Sequence, residues 1–315
     1  MNNKIKGTVC GILSAVSYGT NPLGALNLYA EGLNPTSVIF YRYCIAALIL
    51  AIMMMAKKTF FLITQREAKV LISLGILMAA SSLSLYSSFN FMDAGIASTL
   101  LFVYPVMVAV MMAMFFKEKL TTITILSIML ALGGISMLSK GGDGATLSLM
   151  GVALVMVSSL TYAVYIIIVN KSAIRMSSIK LTFWVLLTGT ICTLLYSFFA
   201  ESQALLPLST PRAWLYATVL AVFPTVISLI LMVIAVNNVG STPTAVMGAL
   251  EPITAVCIGV FVFGEAFTPR LAIGCVLILV AVMMIVAGNS LKRNKITIVV
   301  SRIGNSLKKR WRWRS

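Results

Sequence analysis

The chain has 315 residues, of which 60% are hydrophobic and only 10% charged, and its mean hydropathy is +1.01; a soluble domain of this length is not so apolar. Apolar runs of about 18–25 residues recur from end to end, the length that crosses a bilayer as a helix, and they lack the alternation of a β-barrel strand. The net charge of +16 sits in short loops and the C-terminal tail, which reads as topology signal and attraction to anionic lipid and not as a nucleic-acid surface.

The first run, near 6–27, follows Lys4 and Lys6 like the start of a signal peptide, but its length and its internal Asn21-Pro22 favour an uncleaved span. The next runs fall near 35–56, 69–91, 94–116 and 121–139. A Gly-rich connection, Lys140–Ser148, marks a seam. Beyond it, runs near 149–170, 180–200, 213–236, 241–263 and 269–288 bring the expected number of spans to ten, followed by a basic tail over 291–315. The expected units are therefore 1–140, 149–290 and the tail.

Charge sets the orientation. With the N-terminus in the cytoplasm, the inner segments hold Lys4, Lys6, Lys57, Lys58, Arg66, Lys69, Lys117, Lys119, Lys171, Arg175, Lys180 and the nine Lys and Arg of the tail; only Lys140, Arg212 and Arg270 fall outside, and Arg42 lies within a span. That asymmetry predicts a multi-pass inner-membrane protein with both termini cytoplasmic. The tail, with Trp311 and Trp313 among its basic residues, is expected to lie on the anionic inner leaflet.

The two halves echo each other. At an offset of 147, Pro105 falls on Pro252, Phe116 on Phe263, Glu118 on Glu265 and Thr121 on Thr268; at 144, Gly7 falls on Gly151 and Tyr18 on Tyr162. Five spans per half put the second half in the membrane upside down, the inverted repeat from which secondary transporters are built, with the substrate site near the midplane where the repeats meet.

Glu251 lies near the middle of the ninth run. An ionised carboxylate there costs on the order of 2.5–3.5 kcal/mol even on permissive scales. It should face a cavity, find a partner or carry its proton, serving as a contact for a substrate amine, a coupling site for a proton, or a structural carboxyl bonded to a neighbouring helix. Arg42 sits about eight residues into the second run. It is expected to bind a carbonyl or snorkel outward, or to hold a substrate carboxylate; pairing of Arg42 with Glu251 is left open. Tyr18 with Asn21, Tyr162 with Tyr165, and Ser82 with Tyr86 and Asn90 are spaced to share helix faces, which suits a cavity wall and equally suits bonds between helices. Tyr104 precedes Pro105. Pro22, Pro105 and Pro252 are candidate hinges. Glu118 and Glu265 read as caps of the helices that follow them.

Histidine is absent, as is a Walker-type phosphate loop, and the five cysteines lie in apolar runs without a CxxC. No catalytic chemistry, metal or cofactor is expected.

Ser17-Tyr18-Gly19-Thr20-Asn21-Pro22, Tyr41-Arg42, Pro105 followed by Lys117-Glu118-Lys119-Leu120, Thr161-Tyr162-Ala163, Glu251-Pro252 and Phe263-Gly264-Glu265 together resemble the EamA family of the drug/metabolite transporter superfamily, over roughly residues 5–290. The resemblance implies ten helices in two inverted five-helix repeats around a central cavity. It further implies alternating access without nucleotide and a small-molecule substrate. Tyr18 stands where many members carry Trp, and Trp184 stands where a second-half mate of Arg42 would be. The expected function is export of small metabolites such as amino acids or related compounds; broad drug efflux is the alternative.

Overall fold

The computed structural model describes residues 3–117, 122–138, 148–172, 176–200, 203–240, 244 and 247–284. The basic tail, Glu118, Thr121 and most of the Gly-rich connection lie outside them. Every regular element among the described residues is helical: α1 (Asn3–Gly19), α2 (Asn21–Ala30), α3 (Pro35–Ala56), α4 (Gln65–Ser88), α5 (Ala94–Leu101), α6 (Tyr104–Phe116), α7 (Thr122–Leu138), α8 (Leu149–Lys171), α9 (Ser178–Phe199), α10 (Pro211–Ala221), α11 (Ser228–Val239), α12 (Leu250–Phe263) and α13 (Pro269–Met284). A wider π-helical turn, Val222–Ile227, joins α10 to α11.

Local chemistry sets the helix starts. Asn34 accepts from the Ser37 amide with Pro35 in the first turn. Thr64 and Glu67 exchange bonds in a capping box, and Thr210 accepts from the Ala213 amide beside Pro211. Each satisfies an amide that has no partner inside its own helix.

Six segments are long and apolar enough to cross a membrane: Pro35–Ala56, Gln65–Ser88, Ala94–Phe116, Leu149–Val169, Ser178–Phe199 and Pro211–Val239; α7, α12 and α13 are shorter apolar helices. Large side chains such as Leu48, Ile52, Phe198 and Phe261 point outward, as they do on a surface solvated by lipid. The chain is a helical multi-pass membrane protein. Where the sequence predicts ten continuous spans, several are interrupted at prolines. The first divides at Thr20, before Asn21-Pro22, and the fourth divides at Phe102-Val103, before Tyr104-Pro105. The ninth begins its long helix at Leu250, directly before Glu251-Pro252.

A proline cannot donate to the carbonyl four residues back, and side chains take its place. Pro22 leaves Tyr18 O, which accepts from Asn21 Nδ2 at 2.8 Å. Pro105 leaves Leu101 O, which accepts from Ser159 Oγ on α8 at 3.2 Å. Pro224 leaves Leu220 O, which accepts from Thr225 Oγ1 at 3.2 Å. Interrupted backbone in an apolar medium is tolerable only when its polar groups are served in this way.

Packing between helices rests on small residues and hydroxyls, since lipid offers no hydrophobic drive for helices to associate. α1 lies along α11 and α12, α4 along α8 and α9, α3 along α9 and α10, α8 along α5 and α6, and α5 along α12. Two serine clasps tie the bundle. Ser14 Oγ donates to Ser228 O at 2.7 Å, and Ser228 Oγ donates back to Ser14 O at 3.0 Å. Ser158 Oγ donates to Ser81 O at 2.7 Å, and Ser81 Oγ donates back to Ser158 O at 3.0 Å.

Glu265 departs from its expected role. Its carboxylate crosses to α5 and accepts from the amides of Ala94 (2.8 Å) and Gly95 (3.1 Å). The helix after it, α13, is capped by Thr268 Oγ1, which accepts from the Leu271 amide. The acid leaves its own helix because Gly264 turns the chain at φ 70° and Gly259 leaves room; a Cβ on Gly259 would fall on the Glu265 carboxylate.

Candidate functional site

A cavity of about 200 Å³ lies where the interrupted helices meet. α1 supplies Ser14 and Tyr18, α2 Asn21, α3 Arg42, α4 Ser82 and Tyr86, α6 Tyr104 and Pro105, α8 Tyr162, α11 Ser228, and α12 Glu251. A second cavity of about 130 Å³ shares Tyr18, Arg42, Tyr162, Ser228 and two methionines with the first, and adds Tyr43, Tyr165 and Thr225 to the wall.

Arg42 is 3% exposed and held from two sides. Its Nη1 donates to Tyr86 Oη at 2.6 Å, and its Nε donates to Thr225 Oγ1 at 2.9 Å. Its guanidinium carbon stands 5.7 Å from the centre of the Tyr86 ring. Tyr86 Oη in turn donates to Asn21 Oδ1 at 3.2 Å, and Tyr29 Oη donates to the Tyr86 carbonyl at 2.8 Å. Arg42 therefore reaches the repaired carbonyls of two interrupted helices: Tyr18 O through Tyr86 and Asn21, and Leu220 O through Thr225. Charge-assisted bonds of this kind are short and strong.

Glu251 faces the same cavity from the first turn of α12. Gly19 at the end of α1 presses against its backbone, since a Cβ there would come within 2.6 Å of the Glu251 carbonyl oxygen. Among the described residues its carboxylate accepts no hydrogen bond and forms no ion pair with Arg42. Tyr104 meets Tyr162 edge to face with ring centres 4.8 Å apart. Tyr162 lies parallel to Tyr165 with ring centres 5.7 Å apart.

Glu251, Arg42, Tyr18, Asn21, Tyr86, Tyr104 and Tyr162 thus come together, and Pro105 joins them in the wall. Tyr165 lines the adjoining cavity. Asn90 does not join them: α4 ends at Ser88, so the four-residue spacing from Ser82 and Tyr86 no longer applies, and Asn90 is exposed in the following turn. Pro22 is buried at the start of α2 and Pro252 at the start of α12, each behind the wall. Sequence reasoning overlooked Thr225, which anchors Arg42, and Ser228. The signal for Thr225 was its place directly after Pro224, as Asn21 stands directly before Pro22. Trp184 packs edge-on against Phe183, with ring centres 5.4 Å apart.

Among the described residues no group of three or more His, Cys, Asp or Glu could hold a metal ion. The site offers charge, hydroxyls and aromatic surface, the chemistry of binding.

The model of the EamA-like transporter family matches residues 5–140 and again 149–287. An uncharacterized transporter of Archaeoglobus fulgidus is 24% identical over 279 residues, 88% of this chain and 95% of its own. The uncharacterized transporter YvbV of Bacillus subtilis is 25% identical over 122 residues, 39% of this chain and 40% of its own. A solved crystal structure shares the fold at a TM-score of 0.65 and 15% identity, covering 89% of this chain and 96% of that one. With both halves matched to one family, and with interrupted apolar helices gathered around a polar cavity, the chain belongs to the EamA-like transporter family.

Proposed function

We propose that this protein is a secondary transporter that exports small polar metabolites, such as amino acids or related compounds, by alternating access. The observation that carries the reading is the cavity shared by Arg42 and Glu251, charged groups that a bilayer core tolerates only for a purpose. Its volume of about 200 Å³ lies below the roughly 300–1,000 Å³ of sites that take drug-sized ligands, which favours a small cargo. The basic residues named above favour cytoplasmic termini in an inner membrane, with the basic tail on its anionic lipid.

The fold we propose for this cycle is ten helices in two inverted repeats, 1–140 and 149–290. Exchanging the halves turns α1 against α11 into α8 against α4, α4 against α9 into α10 against α3, and α1 against α12 into α8 against α6; all six contacts occur. The serine clasps support the same exchange, because Ser158 follows Ser14 by 144 residues and Ser228 follows Ser81 by 147. So do the helix ends. α6 closes at Lys117 with φ 54°, and α12 closes 147 residues later at Gly264 with φ 70°. The interruptions at Pro22, Pro105 and Pro252 serve as hinges in this reading.

The test is flux into proteoliposomes holding the full chain, measured for an amino-acid panel with and without a pH gradient. Uptake of one such compound supports the reading. Folded protein that moves neither amino acids nor drugs would overturn it.

One observation favours broad drug efflux as a second reading. A recess of about 460 Å³ between α6, α7 and α8 is lined by Val103, Met107, Met111, Leu132, Met156, Leu160 and other apolar side chains alone, a surface suited to apolar compounds. A resistance profile on overexpression separates the two readings: protection against unrelated drugs favours efflux, and protection against toxic amino-acid analogues favours metabolite export.

A further inference from the structure

The apolar recess of about 460 Å³ between α6, α7 and α8 opens among side chains that face lipid. Leu132 on α7 and Val157 and Leu160 on α8 line it and are exposed. Ala131 lines it from the buried side of α7.

Two helix faces lead from this recess to the same end of the bundle. On α6, Val103, Met107, Val110, Met114 and Lys117 follow one another at intervals of three and four residues, the spacing of one helix face. The first three line the recess, Met114 is 69% exposed, and Lys117 closes the helix. On α8, Val157, Leu160 and Val164 keep the same spacing, and Lys171 follows Val164 by seven residues, two helical turns. The two lysines are exposed. The helix ends meet, because Lys171 Nζ lies 4.5 Å from the centre of the Phe116 ring. That contact holds one cation over the end of α6, next to Lys117. Glu118 and Lys119, which follow in the chain outside the described residues, are of opposite charge. The path from Lys117 back to Val103 covers fourteen residues, a rise of about 21 Å. Half of a hydrocarbon core is about 15 Å, so a chain anchored at the lysines reaches the recess.

We propose that this path is the seat of one anionic phospholipid. Its phosphate accepts from the ammonium groups of Lys117 and Lys171, and one acyl chain runs along α6 and fills the recess. A zwitterionic lipid would bring a cation of its own toward the lysines, and an apolar compound without an anionic group would leave them uncomplemented. The seat also bears on the interruption of the fourth span. Tyr104 and Pro105 line the central cavity, while Val103 and Val106, from the same turn, line the recess. α6 is thus a wall one helix thick between the cavity and the lipid, and the acyl chain packs against its hinge. The assignment rests on the membrane-spanning fold and not on the transport reading.

The test places the full chain in phosphatidylcholine nanodiscs in which a minor fraction of the lipid carries bromine on its acyl chains, a quencher of indole fluorescence. Met114→Trp reports from the path and Leu132→Trp from the recess, each corrected by the parent, whose other tryptophans and basic tail are the same in every variant. Both reporters should be quenched by brominated phosphatidylglycerol at a fraction about tenfold or more below that needed with brominated phosphatidylcholine. Lys117→Gln and Lys171→Gln should each lower this preference by about fivefold, the scale of one basic residue at an anionic surface, and Lys117→Arg with Lys171→Arg should retain it. Equal quenching by the two lipids overturns the assignment, as does a preference that survives both glutamines together. A preference seen by Met114→Trp but not by Leu132→Trp would show a headgroup paired at the surface with the recess left out, and overturns the seat. Quenching of neither reporter would show that a second copy covers this face, and overturns it too. Folded protein that transports nothing should still show the preference, so failure of the transport reading and failure of this one are told apart.

Discussion

Asn21 and Thr225 do the same work on two different helices. Each lies beside a proline, each gives a side-chain proton to the carbonyl that this proline cannot serve, and both are tied to Arg42, Asn21 through Tyr86 and Thr225 directly. One guanidinium thereby links two of the interrupted helices that flank the cavity.

Thr225→Val keeps the shape of the side chain but removes both the donor to Leu220 O and the acceptor for Arg42 Nε. An unserved polar group in the interior costs about 1–3 kcal/mol, so the unfolding temperature in detergent should fall clearly. Thr225→Ser, which keeps the hydroxyl, should stay near the parent. Equal losses in both variants would mean that the methyl group and not the hydroxyl matters.

The clasps predict a matched pair of energies. Alanine at Ser14, Ser228, Ser81 or Ser158 removes one donor to the mate's backbone carbonyl and leaves the reciprocal bond in place, so each single change should cost about 0.6 kcal/mol, and no more than about 1.7 kcal/mol. Clearly unequal costs between the clasps would show that the two contacts, alike in geometry, differ in surroundings.

Glu265 and Gly259 should behave as one unit. Glu265→Ala removes the acceptor from the Ala94 and Gly95 amides, and Gly259→Ala drives the carboxylate from its place. Each should cost on the order of 1 kcal/mol, as the loss of an N-terminal cap does, and raise amide exchange over Ala94–Ala97. The double variant should cost little more than either single one.

Glycine at position 117 tests the end of α6. Lys117 holds φ at 54°, a conformation in which glycine carries no Cβ penalty. Lys117→Gly should hold or raise the unfolding temperature, whereas Gly264→Ala, at φ 70°, should lower it by about 1 kcal/mol of stability.

Much of this was legible in the sequence. Mid-span prolines marked the interruptions because proline removes a donor wherever it falls, and the isolated acid and base in apolar runs marked the cavity because the bilayer makes them costly. The partners were harder to read. Glu265 could be assigned to the nearest helix start, but the turn at Gly264 and the space at Gly259 are tertiary facts, and they send it to α5. Asn90 matched a helical spacing that α4 does not reach. Ser14 and Ser158 stood at the offset of 144 already set by Gly7 with Gly151 and Tyr18 with Tyr162, but serines in apolar runs are common, and nothing in either run names the helix opposite.

Each clasp takes one serine from before the Gly-rich connection and one from after it. The sequence halves are therefore interlocked, and neither can swing as a body of its own without pulling a serine from its mate. A chain divided between residues 140 and 148 would give two polypeptides, one carrying Arg42 and the other Glu251, each with half of both clasps. Produced together, they should recombine into a working transporter; produced alone, neither could close a cavity with both charges.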